Sequence, residues 1–237
     1  MLILALDTSS RTGSVAVLQD EAILGVVATC SDENFSSRIF RQIEFLLREL
    51  TISLEGVDLF AVSAGPGSFT GLRVGLTAAK GWAEVYEKPI AAVGTLEAIA
   101  AQSRSRAVHV AAVLDARRGQ VYGGLYRRSL EVGIADVTPN GEEYVMAPAE
   151  FLEHVLARTG NSEVAIVTPT PEVISGALEQ MGERGKQFVV EPVSTVFAPV
   201  VGQLGYRHAQ RGQLTDSLTL AANCIRRSDA ELNWKNP

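Results

Sequence analysis

The first apolar run, Leu2-Ile3-Leu4-Ala5-Leu6, stops at Asp7, the pattern of a strand buried on both faces. Two further β-rich runs, Gly13 to Leu18 and Ala22 to Thr29, are parted by the polar turn Gln19-Asp20-Glu21. The period then changes. Phe35, Ile39, Ile43, Leu46, Leu47 and Leu50 recur at helical spacing and predict a helix from about Asn34 to Leu50, with Ser31 and Asp32 as candidate caps. Leu59 to Ser63 is a strand, and the loop Ala64-Gly65-Pro66-Gly67-Ser68-Phe69 opens a second helix over about Thr70 to Glu87. After Pro89 comes a strand, Ile90 to Val93, and Thr95 is placed as the cap of a helix reaching about Gln102. The predicted order is β-β-β-α-β-α-β-α.

Polar Ser103-Arg104-Ser105-Arg106 marks a boundary, dividing the chain into residues 1–103 and a smaller C-terminal domain, 104–237. Val108 to Leu114 and Gln120 to Tyr126 are strands joined by a turn at Asp115-Ala116-Arg117-Arg118-Gly119. A helix begins at Ala147-Pro148-Ala149-Glu150, with proline in its first turn. Then follow a strand (Glu163 to Thr168), a helix (Val173 to Met181), a strand (Gln187 to Val190) and a helix from about Val196 to Arg211. That last helix is a candidate to pack back on the first domain. Nothing is assigned between Arg127 and Met146, and the second half looks like a reduced partner domain. No short-period repeat or low-complexity tract interrupts the chain.

Composition adds limits. Of 237 residues, 46% are hydrophobic and 20% charged, enough to bury a core. A net charge of -6 argues against a protein that grips nucleic acid by itself, because such binding needs clustered Lys and Arg. The pairs Arg117-Arg118, Arg127-Arg128 and Arg226-Arg227 leave room for a local basic patch, with surface solvation the commoner reading. Cys30 and Cys224 stand alone without metal-ligand spacing, as in a reduced cytosolic protein. Met1 to Leu6 lacks the basic start of a signal peptide, and no apolar stretch reaches the roughly 18 residues of a membrane span. A cytoplasmic location is expected.

Two stretches carry candidate chemistry. Asp7-Thr8-Ser9-Ser10 ends the first strand. The stretch resembles the corresponding place in the actin-like superfamily, where, the resemblance implies, the carboxylate orients metal or water and backbone N–H groups meet phosphate. A simple Asx or Ser/Thr turn closing a hairpin is the commoner reading of these residues alone. In the string from Ser63 to Gly75, glycines ahead of a helix let backbone N–H groups approach an anion. It is not a P-loop, because Gly71 is followed by Leu72-Arg73 rather than Lys-Ser/Thr. Nor is it a nucleophile elbow, since Pro66 stands where Gly-x-Ser-x-Gly needs glycine. A plain strand-to-helix turn accounts for the glycines but not for the whole string.

That string, Ser-Ala-Gly-Pro-Gly-Ser-Phe-Thr-Gly-Leu-Arg-Val-Gly at 63–75, follows Leu-Ala-Leu-Asp-Thr-Ser at 4–9. Together with Leu-Asp-Ala-Arg-Arg-Gly-Gln-Val-Tyr at 114–122, it resembles the TsaB (YeaZ) family over nearly the whole N-terminal half. The resemblance implies an α/β fold of two actin-like (ASKHA, ribonuclease H-like) domains, the second reduced. It implies a non-catalytic scaffold that binds a TsaD-like catalytic subunit and, with a TsaE-like ATPase, serves threonylcarbamoyl transfer to adenosine 37 of tRNAs reading ANN codons. It further implies a homodimer when alone, tRNA contact only through the complex, no membrane association and no cofactor beyond weak ATP or ADP binding. The nucleotide loops would be Asp7, Thr8 and Ser9 with Gly65, Gly67 and Ser68. TsaD-like proteins hold metal through His-x-x-x-His on the first helix. Here that helix reads Asn34-Phe35-Ser36-Ser37-Arg38-Ile39-Phe40-Arg41, and His109, His154 and His208 lie far apart. No metal or catalytic residue is expected. The alternative is a metal-dependent glycoprotease-like or kinase-like ATP-using enzyme.

Two helix faces are candidates for the partner surface. Arg38, Arg41 and Arg48 surround Phe45 on the first helix, and Gly71, Gly75, Ala78, Ala79 and Trp82 fall along one side of the second. Both faces also fit internal packing, and both readings stay open here.

Overall fold

Leu4, Leu6, Val15 and Val17 point to one side of a sheet and Ile3, Ala5, Ala16 and Leu18 to the other, and both sides are covered. The structure, a computed structural model, describes residues 1–31, 33, 35–129 and 136–226. The expected cap Asp32, the helix start Asn34 and Arg227 of the last arginine pair lie outside the described residues.

The sheet begins as an antiparallel meander of β1 (Leu2–Asp7), β2 (Thr12–Gln19) and β3 (Ala22–Cys30). After α1 (Phe35–Glu49), β4 (Leu59–Gly65) lies parallel beside β1. After α2 (Phe69–Tyr86), β5 (Ile90–Gly94) completes the order β3-β2-β1-β4-β5. The short α3 (Thr95–Ala100) follows. Its cap is Gly94, whose N–H donates to the Glu97 carboxylate at 3.4 Å, and Thr95, expected as the cap, is already inside the helix and buried.

The second half repeats this order: β6 (His109–Arg117), β7 (Gln120–Arg128), β8 (Val137–Met146), α4 (Pro148–Thr159), β9 (Val164–Thr168), α5 (Glu172–Gln180), β10 (Phe188–Pro192) and α6 (Ala198–Gln210). Its sheet, β10-β9-β6-β7-β8, has the same five-strand arrangement as the first. The reduction lies in the helices: α5 has 9 residues where α2 has 18, and α4 has 12 where α1 has 15. The strand absent from the sequence expectation is β8. It carries Pro139 and Gly141, the latter at φ +120, which an edge strand tolerates and an interior strand does not.

The closing helices cross over. α3 packs mainly on β6 and β7 of the second sheet, whereas α6 packs on β1, β2, β4 and β5 of the first. α6 can lie close because it presents glycine: a Cβ on Gly205 would come 2.7 Å from that of Ala61. One apolar cluster consequently runs through both sheets, from Ile3 and Ala61 through Leu96 and Val201 to Val110 and Val167. Among the described residues, no helix is long and apolar enough to cross a membrane.

Candidate functional site: a filled glycine loop beside an aromatic helix face

β1 ends at Asp7 and its parallel neighbour β4 at Gly65, so the two candidate loops meet at one end of the first sheet. Ser68 caps α2, its hydroxyl accepting from the Gly71 N–H at 3.3 Å. The Ser68 N–H donates to the Ser9 carbonyl at 2.7 Å, joining one loop to the other. Asp7 Oδ1 accepts from the Ser9 hydroxyl at 2.6 Å and from the Ser9 N–H at 3.1 Å. Asp7, Thr8, Ser9, Gly65, Gly67 and Ser68 are therefore brought together, but around each other.

The glycines explain how. A Cβ on Gly67 would stand 2.5 Å from the Ser9 carbonyl oxygen, one on Gly75 would stand 2.5 Å from Thr8 Oγ1, and one on Gly71 would overlap the Thr8 carbonyl oxygen. The segment Thr8-Ser9 thus lies in a furrow that the missing side chains leave along the loop and the start of α2. Of the two readings of Gly71, Gly75, Ala78 and Ala79, a partner surface or internal packing, the structure supports the second. These residues are buried, with Ala79 fully enclosed, and the glycine side of α2 meets Thr8 rather than a partner helix. Trp82 is half-buried, its ring 5.7 Å from that of Phe60.

Asp7 and Thr8 have no exposed surface, and Asp7 Oδ2, Thr8 Oγ1 and Ser63 Oγ have no hydrogen-bond partner among the described residues. Burial pushes the Asp7 carboxyl above its ordinary 3.8, against the lowering effect of the Ser9 hydroxyl, the nearby Ser63 hydroxyl, which lies outside good hydrogen-bond geometry, and the Ser9 N–H. The folded state then binds the proton more tightly than the unfolded chain does. The stability tied to Asp7 is complete below 3.8 and is lost as pH rises through the raised folded value. Asp7→Asn, neutral at every pH, should flatten this dependence: its melting midpoint should gain on the parent's as pH climbs above 3.8. Parallel midpoint-against-pH curves for the two proteins would contradict that account.

The first helix divides differently from expectation. Arg38 is buried: its guanidinium donates to the Thr29 carbonyl at 2.9 Å, the Thr29 hydroxyl at 3.1 Å and the Arg11 carbonyl at 2.8 Å, and stacks on Phe35. It ties α1 to β3 and to the β1–β2 turn, so it is removed from the partner surface. Arg41 and Arg48 are exposed, Arg41 bonded to both carboxylate oxygens of Glu33 and Arg48 lying 5.9 Å from the Phe45 ring centroid. Phe45 is 48% exposed and Phe40 47%, large values for phenylalanine. Phe45 borders an open groove of about 480 Å³ between β3 and α1, with Val27, Thr29, Arg41 and Gln42. Phe40 meets Trp82 of α2 edge-on at 6.1 Å. Phe40 was missed in the sequence because its exposure depends on where α2 lies beside α1, which helical spacing alone does not tell.

The three histidines remain apart: His208 pairs with Glu97 at 2.9 Å, His154 lies against Tyr144 with the ring planes tilted by 59°, and His109 begins β6. Among the described residues, no group of three or more His, Cys, Asp or Glu is placed to hold a metal ion.

Two five-stranded sheets of one arrangement, each a three-strand meander extended by two parallel strands, with closing helices exchanged between them, define a two-part actin-like α/β protein. A protein-family model described as TsaD, tRNA N6-adenosine threonylcarbamoyltransferase, matches residues 12–188, well over half of the chain. The chain belongs to this family, among its TsaB (YeaZ) members. It is 39% identical over 127 residues to the tRNA threonylcarbamoyladenosine biosynthesis protein TsaB of Bacillus subtilis and 37% identical over 130 residues to that of Escherichia coli. Each match covers 54% of this chain and spans 56% of the relative's length. The solved structure of YeaZ from Pseudomonas aeruginosa superposes with a TM-score of 0.74 at 26% identity, covering 93% of this chain and 98% of that one.

Proposed function

We propose that this chain is a non-catalytic scaffold subunit in the biosynthesis of threonylcarbamoyladenosine in tRNA. In this reading it pairs through the outer face of α1 with a TsaD-like catalytic subunit and, with a TsaE-like ATPase, serves adenosine 37 of tRNAs that read ANN codons. Alone it forms a homodimer, and it meets tRNA only within the complex. The observation that carries the reading is the face itself: Phe40 and Phe45 stand half in water beside Arg41 and Arg48 on a rigid helix, the composition of an interface centre. The relatives named TsaB supply the process. Weak ATP or ADP binding at Asp7 and Gly65–Ser68 is secondary in it, because the Ser68 and Gly71 N–H groups that would meet a phosphate already bond within the loop.

The test is reconstitution. This chain, mixed with the TsaD-like and TsaE-like proteins of the same organism, should co-purify with the TsaD-like subunit and raise threonylcarbamoyl transfer to tRNA. By itself it should turn over neither ATP nor peptide. ATP or peptide turnover by the isolated chain that disappears in Asp7→Ala would replace the scaffold with the alternative, a kinase-like or glycoprotease-like enzyme.

A further inference from the structure

After α6 the chain runs back along the open side of β5 and then crosses to the second sheet. Thr215 and Ile90 exchange both backbone hydrogen bonds, at 3.0 and 2.9 Å. The Ser217 hydroxyl donates to Glu84 of α2, and Leu220 inserts into the apolar layer beneath α2. The crossing is made at Asn223. Its N–H donates to the Ala64 carbonyl at 2.7 Å, its own carbonyl oxygen sits where a Cβ on Gly65 would come within 2.6 Å, and its side-chain amide donates to Glu143 of β8 at 2.7 Å. One residue thereby holds the β4–α2 turn with its main chain and the second sheet with its side chain. Glu143 also accepts from the Tyr126 hydroxyl at 2.8 Å, which fixes the carboxylate in place. Three residues on, Arg226 donates to the Ala116 carbonyl at 2.7 Å and to Gln120 Oε1 at 2.6 Å, gripping the β6–β7 hairpin.

We propose that residues 215–226 are a latch across the mouth between the two sheets, clamping the β4–α2 turn to the β6–β7 hairpin, and that it opens as a unit while both sheets stay folded. The balance of its contacts supports opening. Leu220 is the one side chain from 211 to 226 that is buried and Leu218 is 87% exposed; beyond the partly buried Ala222 and Ile225, the anchors are hydrogen bonds that are exposed or only part-buried. Segments with few buried apolar contacts and exposed hydrogen bonds open at a small fraction of the global unfolding free energy. The sheets share a continuous apolar cluster and do not need the latch to stay folded. Whatever binds the turn at Gly65 or the hairpin at Arg117–Gly119 from the mouth must first displace Asn223 or Arg226.

The test is native-state hydrogen exchange, read by mass spectrometry on the full chain. In Asn223→Ala/Arg226→Ala, amides of Ala64, Gly65 and Gly67 and of residues 116–121 should exchange at least about tenfold faster than in the parent, while those of β1 and β9 keep the parent's rates. Glu143→Gln retains an acceptor oxygen for Asn223 and should stay near the parent, whereas Glu143→Leu should behave like the double variant. Unchanged exchange at both the turn and the hairpin in the double variant would make the segment a passive tail. Equal acceleration through β1 and β9 would show that it opens only with the whole fold, and this too overturns the latch.

Discussion

Gly71→Ala should lower the melting midpoint by about 4–8 °C, and Gly81→Ala, ten residues along the same helix, should raise it. Alanine is the better helix former by about 1 kcal/mol, so propensity alone predicts a gain at both positions. The surroundings decide the sign. Nothing lies within 4 Å of a Cβ at Gly81, so only the propensity term acts there. At Gly71 the new methyl would overlap the Thr8 carbonyl oxygen. That oxygen belongs to a backbone held on both sides, by Asp7 in β1 and by the Ser9–Ser68 hydrogen bond, and it cannot swing aside as a side chain would. Overpacking of this kind costs about 1–3 kcal/mol and more where backbone must shift, and a chain of this size changes by about 2–4 °C per kcal/mol. A Gly71→Ala protein that melts as high as Gly81→Ala would show the furrow to be slack. By the same logic Gly75→Leu should also lower the melting midpoint, because its side chain would be driven into Thr8.

Phe45→Ala should weaken association with the TsaD-like subunit about 30-fold while leaving the melting midpoint within about 2 °C of the parent. The first figure corresponds to about 2 kcal/mol, the usual threshold for an aromatic anchor at the centre of an interface. The second follows from exposure: at 48% exposed, the ring leaves the chain's own core nearly intact when truncated. Phe40→Ala is a useful neighbour, since it also gives up the edge-on contact with Trp82, worth about 0.5–1.5 kcal/mol, and should therefore lower the midpoint as well. Calorimetric titration and thermal melting on the same preparations separate the two effects. An unchanged dissociation constant for Phe45→Ala would remove the outer face of α1 from the proposed interface.

Two of the arginines of α1 show how a site is half legible. Arg38 and Arg41 are three residues apart on one helix and look alike in sequence. Arg41 reaches solvent and Glu33, whereas Arg38 turns under β3 because the Thr29 and Arg11 carbonyls offer acceptors there. Those acceptors are supplied by the β1–β2 turn and the edge strand, and their position relative to α1 depends on how the helix packs on the sheet. Asn223 and Glu143 were not singled out, and Arg226 drew notice only as one of an arginine pair, for a similar reason. Each is an ordinary polar residue until the chain's return past α6 brings it to a partner far away in sequence.

Periodicity was enough for most of the elements, and for the buried stripe of α1 at Ile39, Ile43, Leu46 and Leu47, because helix and strand periods are local properties of a chain that must bury one face. It was not enough for β8, whose proline and glycine are permitted only by its place at a sheet edge. Nor did it reveal the duplication of the two halves, since a shared strand order requires a shared pattern of burial but not shared residues. The glycine string at 63–75 was legible as a place where the backbone is approached closely, because glycine removes a Cβ whatever approaches. What approaches was settled by tertiary structure alone. Parallel pairing of β1 with β4 sets Thr8 and Ser9 beside the start of α2, and the room left by Gly67, Gly71 and Gly75 is filled by the protein's own backbone and the Thr8 hydroxyl.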